Sequence, residues 1–270
     1  MLNTEKRNPA SMHIDRMTTE EMLRVMQDEN RNAVEAVNEV LPEIGKAVDA
    51  IVASFENGGR LFYIGAGTSG RLAVVDASEC PPTFGVEPEL VTAIIAGGVK
   101  CMTSASENEE DRGENGIADL KAKGVCGKDV VVGLSASGGA AYVVEALRYA
   151  ESLGCVTVGV CCNRDTKLEK ASQIAICPDT GPEVVTGSTR MKAGTAQKLI
   201  LNMLSTAAMI KTGKVYENLM INLKPVNEKL ERRCVRILQE ITGADEAAAE
   251  NALKQAEGNL RNAIAILKQE

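Results

Sequence analysis

The sequence predicts an α/β protein: a three-layer α/β/α domain on a five-stranded parallel sheet, flanked by N-terminal helices and followed by a small C-terminal helical module. Three observations carry this. Short apolar runs beginning at Arg60, Leu90, Asp129, Cys155 and Gln173 alternate with segments of helical periodicity. The runs are apolar throughout rather than at every second residue, as in strands covered by helices on both faces. The first run also ends in a glycine turn, Gly65-Ala66-Gly67-Thr68-Ser69-Gly70, that passes straight into a helical pattern. In such sheets ligands sit beyond the carboxyl ends of the strands, where the strand order reverses.

The elements follow in order. Residues 1–17 are polar. Thr18, with Glu21 three positions on, predicts a capping box and a helix that Leu23, Met26, Val34 and Val37 continue. A second helix spans about 42–56 and stops at Gly58-Gly59. Strands are expected at Arg60–Ile64, Leu90–Ala96, Asp129–Leu134, Cys155–Cys161 and Gln173–Cys177. Helices are expected between them at 68–77, 107–123 (Ser106 and Glu109 forming a capping box) and 139–152. A long amphipathic helix over 188–209, with Ser188 as N-cap, precedes one over 225–241. Two short helical patterns, 245–254 and 259–269, are split by Glu257-Gly258-Asn259. The division that results is an N-terminal helical segment 1–57, a sheet domain 58–215, a further core helix in 216–243 and a small module 244–270.

Composition removes several functions. With 270 residues the chain can bury a substantial core. Aromatics make up 3% and Trp is absent, which argues against base-stacking platforms. A net charge of -7 with no block of Lys or Arg argues against nucleic acid, so any phosphate site must be built locally. The 8 cysteines are scattered, without a C-x-x-C, mostly in or beside apolar runs, and read as buried free thiols in a reducing cytoplasm. No run of apolar residues is long enough to span a membrane. The one histidine, His13, excludes a multi-histidine metal site and any triad not built on it. No metal and no cofactor are expected.

The glycine turn is a general anion site, because backbone N–H groups and the helix dipole point at one spot. A dinucleotide site also needs an acid at the end of the second strand. That strand ends Ile94-Ile95-Ala96-Gly97-Gly98, and Glu87 and Glu89 precede it. Gly67, Thr68 and Ser69 therefore suit a phosphate monoester better. The third run enters Ser135-Ala136-Ser137-Gly138-Gly139, a second hydroxyl-rich turn. Either turn alone could be a serine cap with flexible glycines; if the first and third strands are neighbours, both can grip one phosphate. Neither carries a Walker lysine, which disfavours ATP.

Ser188, Thr189, Arg190 and Lys192 crowd a helix start, where the two cations oppose the dipole unless they face an anion. Carboxylates remain as proton carriers. Glu79 lies in Asp76-Ala77-Ser78-Glu79-Cys80-Pro81-Pro82, a loop that the prolines would stiffen. Glu107, Glu109 and Glu110 form a second candidate group, and the residues alone do not choose among them.

Specific motifs then carry a resemblance. Asn3-Thr4-Glu5-Lys6-Arg7-Asn8-Pro9, Ile14-Asp15, the stretch from Tyr63 to Arg71, the stretch from Asp76 to Gly85, the segment from Gly187 to Lys198 and residues 218–230 together resemble the N-acetylmuramic acid 6-phosphate etherase family. Its members have the sugar-isomerase (SIS) fold, flavodoxin-like in its layers. The resemblance covers nearly the whole chain; Glu29-Asn30 stands where the family often has Glu-Asp. It implies a phosphorylated amino sugar as substrate, cleavage of its lactyl ether to N-acetylglucosamine 6-phosphate and D-lactate, and elimination followed by addition of water. It implies Glu79 as the acid that assists the departure of lactate and Glu110 as the base. It also implies a homodimer with sites near the subunit interface, and a C-terminal tail resembling a ubiquitin-associated module. The rival expectations are a phosphosugar isomerase of the same fold and a non-enzymatic phosphosugar sensor.

Overall fold

The computed structural model describes residues 1–104, 106, 108–222 and 228–268. The chain forms two units, Met1–Ala77 with Glu89–Thr206, and Ser78–Pro88 with Ala207–Glu270.

The first unit begins with short 3-10 turns at Asn3–Glu5, Pro9–Ser11 and Ile14–Arg16. Helices α1 (Thr19–Asn38) and α2 (Leu41–Glu56) follow. The capping box forms: the Glu21 N–H donates to Thr18 Oγ1 at 3.3 Å and the Thr18 N–H to Glu21 Oε2 at 2.8 Å. Then come β1 (Leu61–Gly65), α3 (Gly67–Phe84), β2 (Val91–Ile95), α4 (Gly113–Ala122), β3 (Val130–Leu134), α5 (Ala141–Ser152), β4 (Val156–Val160), the single turn α6 (Lys167–Lys170), β5 (Ile174–Ile176) and α7 (Lys192–Lys211).

The five strands are parallel and ordered β2-β1-β3-β4-β5. The chain steps outward from β1 to β2 and returns on the other side to β3, so the order reverses between β1 and β3. Gly65, the last residue of β1, is in register with Leu134, the last of β3. The glycine turn and the serine turn therefore leave the sheet side by side. Phe62, Ile64, Val131, Val143 and Leu147 are buried in the core that fixes this edge.

In the second unit, a hairpin of β6 (Val215–Tyr216) and β7 (Leu219–Met220) precedes α8 (Glu228–Thr242), α9 (Glu246–Gln255) and α10 (Leu260–Leu267). Asp245 caps α9 and Asn259 caps α10 through their side chains. Cys234 and Leu238 of α8 are buried in one cluster with Ala249, Leu253, Leu260 and Ala263. Residues 244–268 thus share a core with the helix before them. Pro225, where a helix was expected to begin, lies outside the described residues.

Three boundaries differ from the sequence expectation. Helix α3 continues beyond Ala77 through Pro81 and Pro82 to Phe84. The prolines lack two helical donors, yet the Gly85 N–H still closes on the Pro81 carbonyl at 2.8 Å, and Gly85 ends the helix at φ +60°. Helix α4 begins at Gly113, not near 107, because Asn108 is left-handed (φ 70°) and a 3-10 turn takes Glu109–Asp111. Helix α7 begins at Lys192, and its first donors are capped by Glu183 in place of the expected Ser188.

Candidate active site

The site is built on the close meeting of β1 and α3. A Cβ on Gly70 would lie 2.7 Å from both the Gly65 carbonyl oxygen and Ile95 Cγ1, so the helix can start this close to the sheet only on glycine. Gly67 adopts φ +55°. The N-terminal turn of α3 is thereby held at the strand end with its free N–H groups and the positive end of the dipole. Beside it, Ser135 Oγ accepts from the Gly138 N–H at 3.2 Å and Ser137 Oγ from the Gly139 N–H at 3.2 Å. These serines cap their own turn, and with their two oxygens 3.5 Å apart at least one hydroxyl keeps a hydrogen to give outward.

A cavity of about 290 Å³ is lined by Gly67, Thr68, Ser69, Ser135, Ser137, Thr189, Glu5 and Glu110, among others. A neighbouring cavity of about 360 Å³ shares Ala66, Gly67 and Glu110 and adds Arg71, Glu109 and Asp111. Glu110 therefore stands at the junction of the two. The largest groove described, about 860 Å³, lies within the second unit along α8 and α9 and has none of these hydroxyls. Chemistry rather than size selects the site.

Two supporting residues escaped the sequence reading. Asn163 accepts from the Thr4 N–H at 3.3 Å, and its amide donates to Thr4 Oγ1 at 3.1 Å and to the Ala136 carbonyl at 3.2 Å. It ties the N-terminal segment to the serine turn and so brings Glu5 to the cavity wall. Gln197 of α7, 1% exposed, accepts the Ser69 hydroxyl at 2.8 Å and fixes its direction. The signal for Glu5 and Gln197 was their place inside two motifs that carried the resemblance. Nothing in local chemistry marked them.

The other expected residues stand elsewhere. Lys192 is 2% exposed and its ammonium pairs with Glu29, which also accepts from the Asn8 amide at 2.8 Å. Burial alone would raise the Glu29 carboxyl, but the hydrogen bonds from Lys192 and Asn8 and the Lys192 charge hold it below the usual range. Glu183, fully buried, accepts from the N–H groups of Lys192 and Ala193 at 3.0 Å each. The anions that Lys192 was expected to meet at this helix start are thus the chain's own carboxylates. Arg190 is exposed and Ser188 half-buried, and neither lines either cavity. Glu79 is exposed on the part of α3 that belongs to the second unit, not in a loop, and is not among the residues lining the cavities. Glu107 lies outside the described residues. Among the described residues no group of three or more His, Cys, Asp or Glu could hold a metal ion, and no helix is long and apolar enough to cross a membrane.

Comparison with known proteins gives the following. A model of the glucokinase regulatory protein N-terminal SIS domain matches residues 43–151, and one of the SIS domain matches residues 123–207. An N-acetylmuramic acid 6-phosphate etherase from Aeromonas hydrophila is 53% identical over 98% of this chain and 89% of its own length. That of Pasteurella multocida is 53% identical over 98% and 88%, and that of Geobacillus thermodenitrificans 50% over 98% and 90%. Among solved structures, a phosphoheptose isomerase from Francisella tularensis has a TM-score of 0.52 at 19% identity, covering 72% of this chain and all of its own. The phosphoheptose isomerase of Neisseria gonorrhoeae has a TM-score of 0.51 at 20% identity, over 71% of this chain and 98% of its own. At such identities the likeness concerns the fold alone.

Proposed function

The chain belongs to the N-acetylmuramic acid 6-phosphate etherase family, and from that premise we propose that the hydroxyl-lined cavity and Glu110 form its active site. The enzyme is a lyase that cleaves the lactyl ether of N-acetylmuramic acid 6-phosphate to N-acetylglucosamine 6-phosphate and D-lactate, a step of peptidoglycan amino-sugar catabolism. The observation that carries the site reading is the convergence of two hydroxyl-rich turns with Glu110 at one reversal of strand order.

In this reading the N–H groups at the start of α3 and the hydroxyls of Thr68, Ser135 and Ser137 hold the 6-phosphate, and the Ser69 hydroxyl joins them by turning its hydrogen from Gln197 to the phosphate. The phosphate is remote from the bonds that change, so its binding energy serves to position the reacting carbons. Opening of the sugar gives a C1 aldehyde, which acidifies the C2 proton. Glu110 removes that proton, the C3–O bond breaks, and lactate leaves with a proton from an acid, the role assigned to Glu79. Water then adds at C3 and a proton returns to C2, so the net change is hydrolysis of the ether with no redox step.

Thr189 lines the phosphate cavity and is placed in the same binding set. Lys192 acts through its pair with Glu29, holding the start of α7. Ser188 and Arg190 extend the set outside the cavity wall. The homodimer, with the site near the subunit interface, belongs to the same proposal. Sedimentation should give twice the mass of the chain. The activity is tested by incubating the protein with N-acetylmuramic acid 6-phosphate and assaying D-lactate. Turnover of a hexose 6-phosphate to its ketose without lactate would instead make it an isomerase, and tight binding without chemistry would make it a sensor.

A further inference from the structure

The proposed reaction leaves one charged group of the substrate without a partner. Besides its phosphate, the substrate carries the carboxylate of the lactyl ether. Nothing in the hydroxyl cavity matches a second anion, and Glu109, Glu110 and Asp111 beside it would repel one. Arg71, one turn along α3 from Gly67, is the one basic side chain among the described residues that line either cavity. Its Nε–H donates to the Met102 carbonyl at 3.0 Å and its Nη2 to the Ser104 carbonyl at 3.0 Å. These bonds fix the guanidinium plane against the turn and occupy two of its five donors. Among the described residues, no carboxylate forms an ion pair with it, although three line the same cavity. A half-buried, oriented guanidinium with spare donors is matched to a planar carboxylate.

We propose that Arg71 is the specificity residue that receives the lactyl carboxylate. The inference rests on reading the adjoining cavity as the phosphate site. Gly67 and Glu110 belong to both cavities, so a sugar with its phosphate among the hydroxyls passes Glu110 at C2 and directs its C3 substituent toward Arg71. Arg71 sets one positive charge among these carboxylates, where the ether must enter and where lactate departs. The ordinary alternative is that Arg71 only staples the turn at 102–104 to α3.

The test compares N-acetylmuramic acid 6-phosphate with its lactamide analogue, in which the carboxylate is a neutral amide and the phosphate is kept. Wild-type enzyme should favour the carboxylate by about 10-fold or more in kcat/KM, the scale of a charge-assisted hydrogen-bond pair. Arg71→Met should erase that preference, chiefly through KM, and Arg71→Lys should restore part of it. N-Acetylglucosamine 6-phosphate has no lactyl group, so it should inhibit wild type and Arg71→Met equally, which reports an intact turn and phosphate site. Retention of the carboxylate preference in Arg71→Met overturns the proposal. So does an equal weakening of N-acetylglucosamine 6-phosphate in that variant, which would leave Arg71 a staple. Absence of lactate release by the wild type would remove the functional reading itself, and the inference with it.

Discussion

Ser69 and Ser137 reach the same cavity from different turns, and each has a protein partner that fixes its oxygen. Ser69 donates to Gln197, while Ser137 accepts from the Gly139 N–H. Removing the Ser137 hydroxyl should weaken phosphate binding by about 10- to 100-fold, the value of a hydrogen bond to a charged group; the Ser69 hydrogen is held by Gln197 and must turn to reach the phosphate, so its removal should cost less. Ser69→Ala and Ser137→Ala are each measured on the phosphorylated and the unphosphorylated sugar. An undiminished preference for the 6-phosphate in both variants would remove these serines from the phosphate site. At this scale the hydroxyls were legible because strand, glycine and hydroxyl follow one another within a few positions. Gln197 stands 128 residues from Ser69 and Asn163 stands 159 from Thr4. Such partners meet only through the packing of separate elements, which no local pattern records.

The start of α7 shows how an element reconciles charges that look misplaced in the sequence. A lysine at a helix N-terminus is unfavourable toward the dipole. Here Glu183 caps the helix and Glu29, from α1, neutralises Lys192. Glu29→Gln would leave the buried ammonium without its charge partner and should cost about 3–5 kcal/mol. The pH dependence has a definite sign. The Glu29 carboxyl is held lower in the folded chain than in the unfolded one. Its stabilisation is therefore fully present above the unfolded value and is lost as pH falls through the lowered folded value. Urea unfolding across the acid range should show a steeper loss for wild type than for Glu29→Gln, and parallel curves would count against the pairing. The sequence conflict pointed to an anion here; that the anion would come from α1 was not legible. The same holds for Glu79. Paired prolines read locally as a loop, but α3 runs through them to Gly85.

At the scale of the whole molecule, the apolar runs specified five covered strands, and the observed sheet has five in parallel. Their order was not legible strand by strand, because uniform apolarity says that a strand is central without saying beside which neighbour. The order matters, since only the adjacency of β1 and β3 sets the two turns side by side. Elements of two to four residues, α6 and the β6–β7 hairpin, are too short to show a period and were missed. The proton transfers assigned to this architecture use carboxylates alone. Dialysis against a chelator should leave lactate release unchanged, and activity that disappears and returns with a divalent ion would overturn the two-glutamate scheme. The most direct test of that scheme is proton exchange at C2. In heavy water, NMR would follow deuterium uptake at C2 of the sugar phosphate beside D-lactate release. Glu110→Gln, an exposed position whose substitution should leave the melting temperature unchanged, is predicted to lose both. Glu79→Gln is predicted to lose lactate release while keeping exchange, because the acid is needed only once the C3–O bond breaks. Exchange at the wild-type rate in Glu110→Gln would show that the base lies elsewhere and would contradict the placement of the active site at this cavity.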